Sequence, residues 1–430
     1  MRAHISVPGR SASRSTTSED SCSRLDCNYR SFLRYDNRNC QVNREGAQQV
    51  RISDLEVVPV RIPAPRVPYR WREGLPTSRL EFEGGVLRVR TDAGVEGVAF
   101  ASRPNAAHVL ADLVDRHLRN EMIGQDPLMR EWWWDRIWHL DRTEELPLYV
   151  FGLLDVALWD LAGRASDLPS WKVMGGFRAE LPAYASTVTF DTIEQYLDVA
   201  DQCLALGYPA IKLHAWGDPD RDIQLAYALR EHVGQAYPLM YDGSAAFDLP
   251  DAIRVGRALT DANYLWYEEP IREFSVTAYK MLGESVGVPL LVAETSDGAH
   301  MNAADFVAAG CSNFGLRASA RLRGGITGAL RIGHLADAYR LRVEVHSPEV
   351  PSRHLCMALS NTTYYESLVT ADPVNRDPVV GSDGMLRAPT EPGIALPASI
   401  ELPSDLQAYQ EGAAVANGIP AALAAGGTLR

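Results

Sequence analysis

Lysine is nearly missing from this chain. Among 430 residues it occurs only as Lys172, Lys212 and Lys280, so arginine supplies almost all of the positive charge. Cysteine is also sparse: Cys22, Cys27, Cys40, Cys203, Cys311 and Cys356 show no CxxC pairing or other metal-like spacing. That argues against a disulfide scaffold at this size. No unbroken run of about 18 apolar residues occurs, so no membrane span is expected. The net charge of −13 and a pI near 5.3 argue against a nucleic-acid partner. Residues 1–48 lack the apolar core of a secretory signal. They are rich in Ser and Arg, and Glu19, Asp20, Asp26 and Asp36 speak against a transit peptide; they read as a disordered leader, with a cytoplasmic location by default.

What is present is more pointed. Three short β-prone runs end in acids: Pro238-Leu-Met-Tyr-Asp242, Tyr264-Leu-Trp-Tyr-Glu268 and Pro289-Leu-Leu-Val-Ala-Glu294. The differences 268 − 242 and 294 − 268 are both 26, the length of one strand-plus-helix unit. Three carboxylates gathered in one place repel each other strongly at low effective dielectric, so they imply protonation or a bridging cation. Oxygen ligands without Cys or His favour Mg²⁺.

The rest of the chain gives these runs a setting. Ile52 to Val60 alternates like a strand, a Pro-rich loop follows, and Val86–Arg90 with Val95–Phe100 flank Thr91-Asp-Ala-Gly94, a hairpin signal. Helical periodicity runs through Val109, Leu113, Leu118, Leu153, Val156, Ala157 and Leu161. An α+β capping domain over 49–178 is expected. From Leu181 strands alternate with helices: Leu181–Ser186, Ala210–His214, Leu239–Asp242, Leu265–Glu268, Leu290–Glu294, Asn313–Arg317, Arg342–His346 and Thr363–Glu366. Eight βα units predict an α/β fold, a TIM (β/α) barrel over 179–382 whose chemistry sits at the carboxyl ends of the strands. A doubly wound sheet would not need polar residues at so many strand ends. Residues 383–430 are expected to fold back on the capping domain.

The strand ends carry further candidates. Lys212 and His214 are two apart, so both face one side of their strand. His346 closes the seventh strand, and an imidazole on each flank of a metal suits proton removal at one face and delivery at the other. Trp132, Trp133, Trp134 and Trp138 read as packing in the cap helices.

Leu154-Asp-Val-Ala-Leu-Trp-Asp-Leu-Ala-Gly163, Met174-Gly-Gly176, Trp266-Tyr-Glu-Glu-Pro270 and Gly324-Gly-Ile-Thr327 together resemble the signatures of the enolase superfamily, mandelate racemase subgroup. The resemblance covers nearly everything after residue 50. It implies a modified barrel under an N-terminal cap, Mg²⁺ as cofactor, a small-molecule carboxylate substrate that loses its α-proton, and a homo-oligomer. Periodicity does not choose between Glu268 and Glu269; the resemblance selects Asp242, Glu268 and Glu294 as metal ligands. It assigns Lys212 to the substrate carboxylate, His214 and His346 to acid/base work, and a protonated Glu366 to the developing enolate. Tyr69, Trp71 and Arg72 in the cap loop, with His300, Arg317 and Ser319, are candidate substrate contacts.

Two positions depart from the pattern. Ser319 stands where the family often has an aspartate supporting the seventh-strand histidine, so His346 should be less basic and less firmly oriented. His214 replaces a lysine, which argues against a symmetric Lys/His racemase. The expected activity is dehydration of a sugar acid. A racemase, epimerase or cycloisomerase and a catalytically silent acid-binding relative are its rivals.

Overall fold

The first strands bury Leu55, Val58, Val60, Leu87, Val89 and Ala99 in the core of an antiparallel sheet. The computed structural model describes residues 50–394 apart from Pro63, Arg66, Arg79 and Ser102; the expected leader and residues 395–430 lie outside the described residues. β1 (Ile52–Ile62), β2 (Phe82–Thr91) and β3 (Glu96–Ala101) form an antiparallel sheet in that order. The expected hairpin joins β2 to β3: Thr91 N donates to Val95 O at 3.1 Å, and Gly94 supplies the left-handed residue at φ 78°.

Four helices follow. α1 (Ala106–Leu113) runs through a π-turn (Val114–Leu118) into α2 (Arg119–Met122), then α3 (Arg130–Glu144) and α4 (Leu148–Ala165). Helix α4 lies against β3 so closely that a Cβ on Gly97 would stand 2.1 Å from the Ala157 carbonyl. The tryptophans of α3 do pack, and Trp134 also ties the cap to the barrel through Nε1 to Gly324 O at 2.8 Å.

After the single-turn helix α5 (Ser170–Val173) the chain alternates as expected. The strands are β4 (Glu180–Thr187), β5 (Ile211–His214), β6 (Leu239–Asp242), β7 (Trp266–Glu268), β8 (Leu290–Val292), β9 (Gly315–Ala318), β10 (Arg342–Val345) and β11 (Tyr365–Val369). Between them run α6 (Ile193–Ala205), α7 (Pro219–Val233), α8 (Leu249–Asp261), α9 (Val276–Ser285), α10 (Ala299–Ala308), α11 (Gly325–Ala338) and α12 (Val350–Ala358). Polar residues written just before the helices set their starts: Thr192 with Gln195 forms a capping box, and Asp218, Asp248 and Ser275 cap α7, α8 and α9.

All eight strands are parallel, paired from β10 back to β4, and β11 pairs with β4 to bring the sheet round on itself. The seam between β10 and β11 is held differently. Val343 N reaches Asn361 O at 3.2 Å, and the buried Glu344 carboxylate accepts from Thr363 N, Tyr364 N and the Thr363 hydroxyl.

The period of two along each strand divides the interior into layers. Ala210, Met240 and Trp266 join Tyr184, Leu291 and Phe314 in an apolar plug. Two residues further on, the same strands present Lys212, Asp242 and Glu268, all buried. One layer seals the barrel; the next is charged.

Beyond the barrel, β12 (Met385–Arg387) pairs antiparallel with the start of β4. The chain then meets α4. Asp160, buried, accepts from Val98 N at 2.9 Å, Arg164 Nε at 2.8 Å and Ile394 N at 2.7 Å. Gly393, at φ 85°, is required there, since a Cβ would come within 2.3 Å of Asp160 Oδ1. Among the described residues, no helix is long and apolar enough to cross a membrane.

Candidate functional site

Strand ends gather the charged residues at one mouth of the barrel. Asp242, Glu269 and Glu294 each offer a carboxylate oxygen, and those oxygens all lie within 4.8 Å of one another. Burial, together with the charge of Asp242 beside Glu269 and of Glu269 and Glu268 beside Glu294, pushes the Glu269 and Glu294 carboxyls well above the usual range. Asp242 moves the other way: despite burial, His214 and Lys212 hold it low. Repulsion of this kind is what a hard divalent cation relieves, and the all-oxygen donor set fits Mg²⁺.

Glu268, expected in this group, is directed elsewhere. Its Oε1 lies 2.7 Å from Arg317 Nε and its Oε2 lies 2.9 Å from Lys212 Nζ and 3.1 Å from Trp266 Nε1. The reason is local. β7 stops at Glu268, and Glu269 takes a left-handed φ of 38°, so the alternation of faces that a continuing strand would impose is broken. Ala293 (φ 71°) and Ser347 (φ 76°) put similar kinks beside Glu294 and His346. Such conformations cost on the order of 1–3 kcal/mol each and cluster at functional sites.

Two buried cations sit under the carboxylates. Lys212 Nζ contacts Asp242 at 3.0 Å, Glu268 at 2.9 Å and Glu366 at 3.0 Å. Burial opposes its charge, yet Glu268, Glu366 and Asp242 raise it well above the lysine norm. Arg317 spans Glu268, Glu294 (3.3 Å), Glu366 (2.7 Å) and the Tyr184 hydroxyl (3.1 Å). Arg317 is therefore a strut inside the barrel, with 0% of its surface exposed. Glu366 is corrected too. Although burial raises it, Arg317 and Lys212 hold the carboxyl well below its ordinary range, and Ser347 N donates to it at 2.7 Å. It is an ionised acceptor, where a protonated donor was expected.

The two imidazoles flank the carboxylate group. His214 Nε2 is 3.1 Å from Asp242 Oδ2, while its Nδ1 lies 2.7 Å from the Thr187 carbonyl. A carbonyl only accepts, so Nδ1 keeps a proton and Nε2 is the exchanging atom. His346 Nε2 is 3.2 Å from Glu294 Oε1, and its buried Nδ1 has no hydrogen-bond partner. Ser319 gives it none: the serine hydroxyl accepts from Arg321 N and Leu322 N in its own turn. Burial, with the nearby charges of Arg317 and Arg321, keeps His346 well below the usual imidazole range in spite of Glu366.

The cap loop reaches this mouth. The Trp71 ring lies 4.7 Å from the His214 ring and Tyr69 stacks edge-on against Trp71 at 5.5 Å. Arg72 Nε donates to Ser244 O at 2.9 Å, just past β6. His300 is not brought in; its ring faces Trp134 at 5.7 Å. Two groups went unread in the sequence. Glu273, five residues past Glu268, accepts from Ala293 N, Thr295 N and Ser296 N and fixes the turn that carries Glu294. Arg321 pairs with Glu349 at 3.1 Å beside His346.

Residues 77–175 match the family model for the mandelate racemase/muconate lactonizing enzyme N-terminal domain, and residues 195–399 match the enolase C-terminal domain-like model. The chain belongs to the enolase superfamily. Within this superfamily it is 27% identical over 344 residues, 77% of this chain and 93% of the relative, to a 3,6-anhydro-alpha-L-galactonate cycloisomerase of Streptomyces coelicolor. It is 25% identical over 315 residues, 70% of this chain and 77% of the relative, to an L-talarate/galactarate dehydratase of Salmonella typhimurium. Among solved structures, D-glucarate dehydratase from Agrobacterium tumefaciens complexed with magnesium superposes with a TM-score of 0.74 at 29% identity, over 81% of this chain and 96% of that one. The modified barrel under an N-terminal sheet is thus the superfamily's architecture.

Proposed function

We propose that this protein is a Mg²⁺-dependent lyase that removes the proton α to a carboxylate and dehydrates a sugar acid to a 2-keto-3-deoxy acid. One observation carries the reading: two imidazole Nε2 atoms, on His214 and His346, stand 3.1 and 3.2 Å from opposite members of one carboxylate group. Asp242 and Glu294 would hold Mg²⁺ with a carboxylate of the Glu268–Glu269 pair, Glu269 in this geometry. The cation would act as a Lewis acid on the substrate carboxylate, lowering the cost of the enediolate. The dehydratases and magnesium complex among the relatives support both the reaction and the metal.

The chain's own groups divide the proton work. His346, kept neutral by burial, accepts the α-proton at Nε2, and the released electron pair forms the enolate double bond. His214, with Nδ1 anchored on Thr187, delivers a proton from Nε2 to the β-hydroxyl, which leaves as water. Lys212 places a fixed positive charge beside the accumulating negative charge. The enol then tautomerises to the keto acid. Trp71 over His214 limits access of bulk water to that imidazole.

Incubation with Mg²⁺ and a panel of aldonic and aldaric acids, read as 2-keto-3-deoxy product, tests this. No product across the panel overturns it. The cycloisomerase relative supports a second reading, isomerisation on the same site; solvent deuterium entering the α-carbon without loss of water would select it.

A further inference from the structure

A cleft between cap and barrel holds charge that the reaction does not use. It is lined by Arg103 of the cap, Tyr149 and Leu153 of α4, and Arg321, Glu349 and Pro351 of the barrel. Two guanidinium groups face one carboxylate there. Arg321 Nη1 takes Glu349 at 3.1 Å, but the Nε atoms of Arg103 and Arg321 are buried without a hydrogen-bond partner. Among the described residues no side chain accepts a hydrogen bond from the Arg103 guanidinium. A buried donor left unmade is costly.

The barrel loops that line the cleft are continuous with the strand ends of the reaction centre. Arg321 is two residues past Ser319, and Glu349 is three past His346. The Arg321 charge is felt at both His346 and Tyr69, which places it close to both. Burial, then the Arg321 charge, also depresses Arg103, against the opposing pull of Glu349 and Tyr149.

We infer that Arg103 and Arg321 receive a second carboxylate, at the far end of the substrate, so that the preferred sugar acids are diacids. This rests on the sugar-acid reading above and narrows it. A planar guanidinium pairs bidentately with a carboxylate, whereas the terminal hydroxymethyl of a monoacid leaves the Arg103 charge unpaired.

Galactarate and galactonate differ at that terminus alone and serve as probes. Titration calorimetry of the Mg²⁺-loaded protein should show galactarate binding about ten- to hundredfold tighter. Arg103→Met should remove the preference while leaving galactonate affinity within about twofold, and Arg103→Lys should keep part of it. Equal affinities in wild type, binding of neither acid, or an equal loss for both acids in both variants would each overturn the proposal. Binding is read without turnover. A diacid preference with no keto-acid product would therefore sink the dehydratase reading and leave this one standing.

Discussion

Replacing Glu344 by glutamine should change how stability depends on pH, by an amount the structure sets. This carboxylate bridges the β10–β11 seam and is fully buried. Burial raises it from 4.5 to about 7, against the hydrogen bonds from Thr363 and the Arg317 charge, which lower it. A group whose folded value is raised binds more protons in the native state than in the unfolded chain between those two values. Its contribution to stability is therefore complete below pH 4.5 and is lost as pH rises through about 7. The span amounts to about 3 kcal/mol. Glutamine keeps the shape and one acceptor but cannot ionise. Denaturant unfolding at fixed Mg²⁺ should find Glu344→Gln less stable than wild type at pH 5, through its lost acceptor. Between pH 5 and 8 the gap should close or reverse by an amount of that order. A difference between the two proteins that stays flat from pH 5 to 8 would refute the reasoning.

The site makes three further predictions. His346→Asn should lower α-proton exchange by about 10²- to 10⁴-fold with unchanged circular dichroism, followed by NMR in deuterium oxide. Lys212→Met takes a buried cation from Asp242, Glu268 and Glu366, leaving Arg317 to the two glutamates and His214 to Asp242, and should cost about 3–5 kcal/mol in denaturant unfolding as well as abolishing turnover. Saturating Mg²⁺, at about 100 times its Kd, should stabilise the protein by about 2.7 kcal/mol, read as a rise in melting temperature. Glu294→Gln should remove that rise. Comparing Glu268→Gln with Glu269→Gln in the same melt identifies which carboxylate of the pair serves the cation.

The barrel was legible because its strands are short, apolar and regularly spaced, and the cap hairpin because Thr91-Asp-Ala-Gly94 supplies a glycine for the left-handed position of the turn. The acidic strand ends were legible for the same reason. What the sequence did not decide was which of two adjacent glutamates faces the mouth, since strand alternation holds only while the strand continues and it ends at Glu268. Arg317 looked like a substrate contact because it closes a strand; its length lets it reach back beneath the carboxylates. A protonated Glu366 was what the resemblance implied; the two cations that lower its proton affinity come from β5 and β9, far away in sequence. Arg103 carried no signal at all: a lone arginine in a polar loop is unremarkable until the barrel brings Arg321 beside it.

The Asp160 junction bears on how the chain is made. Its third donor, Ile394 N, lies 234 residues downstream. At ribosomal rates of about 5–20 residues per second, that separation is roughly 12 to 47 s of synthesis. Throughout that interval the Asp160 carboxylate, in the C-terminal half of α4, waits half-satisfied, while the strands of the barrel emerge and pair. The cap begins first and locks last. A nascent chain paused before Gly393 would display a nearly finished barrel under an unfastened cap, and such a stalled form should be the one that chaperones and proteases meet.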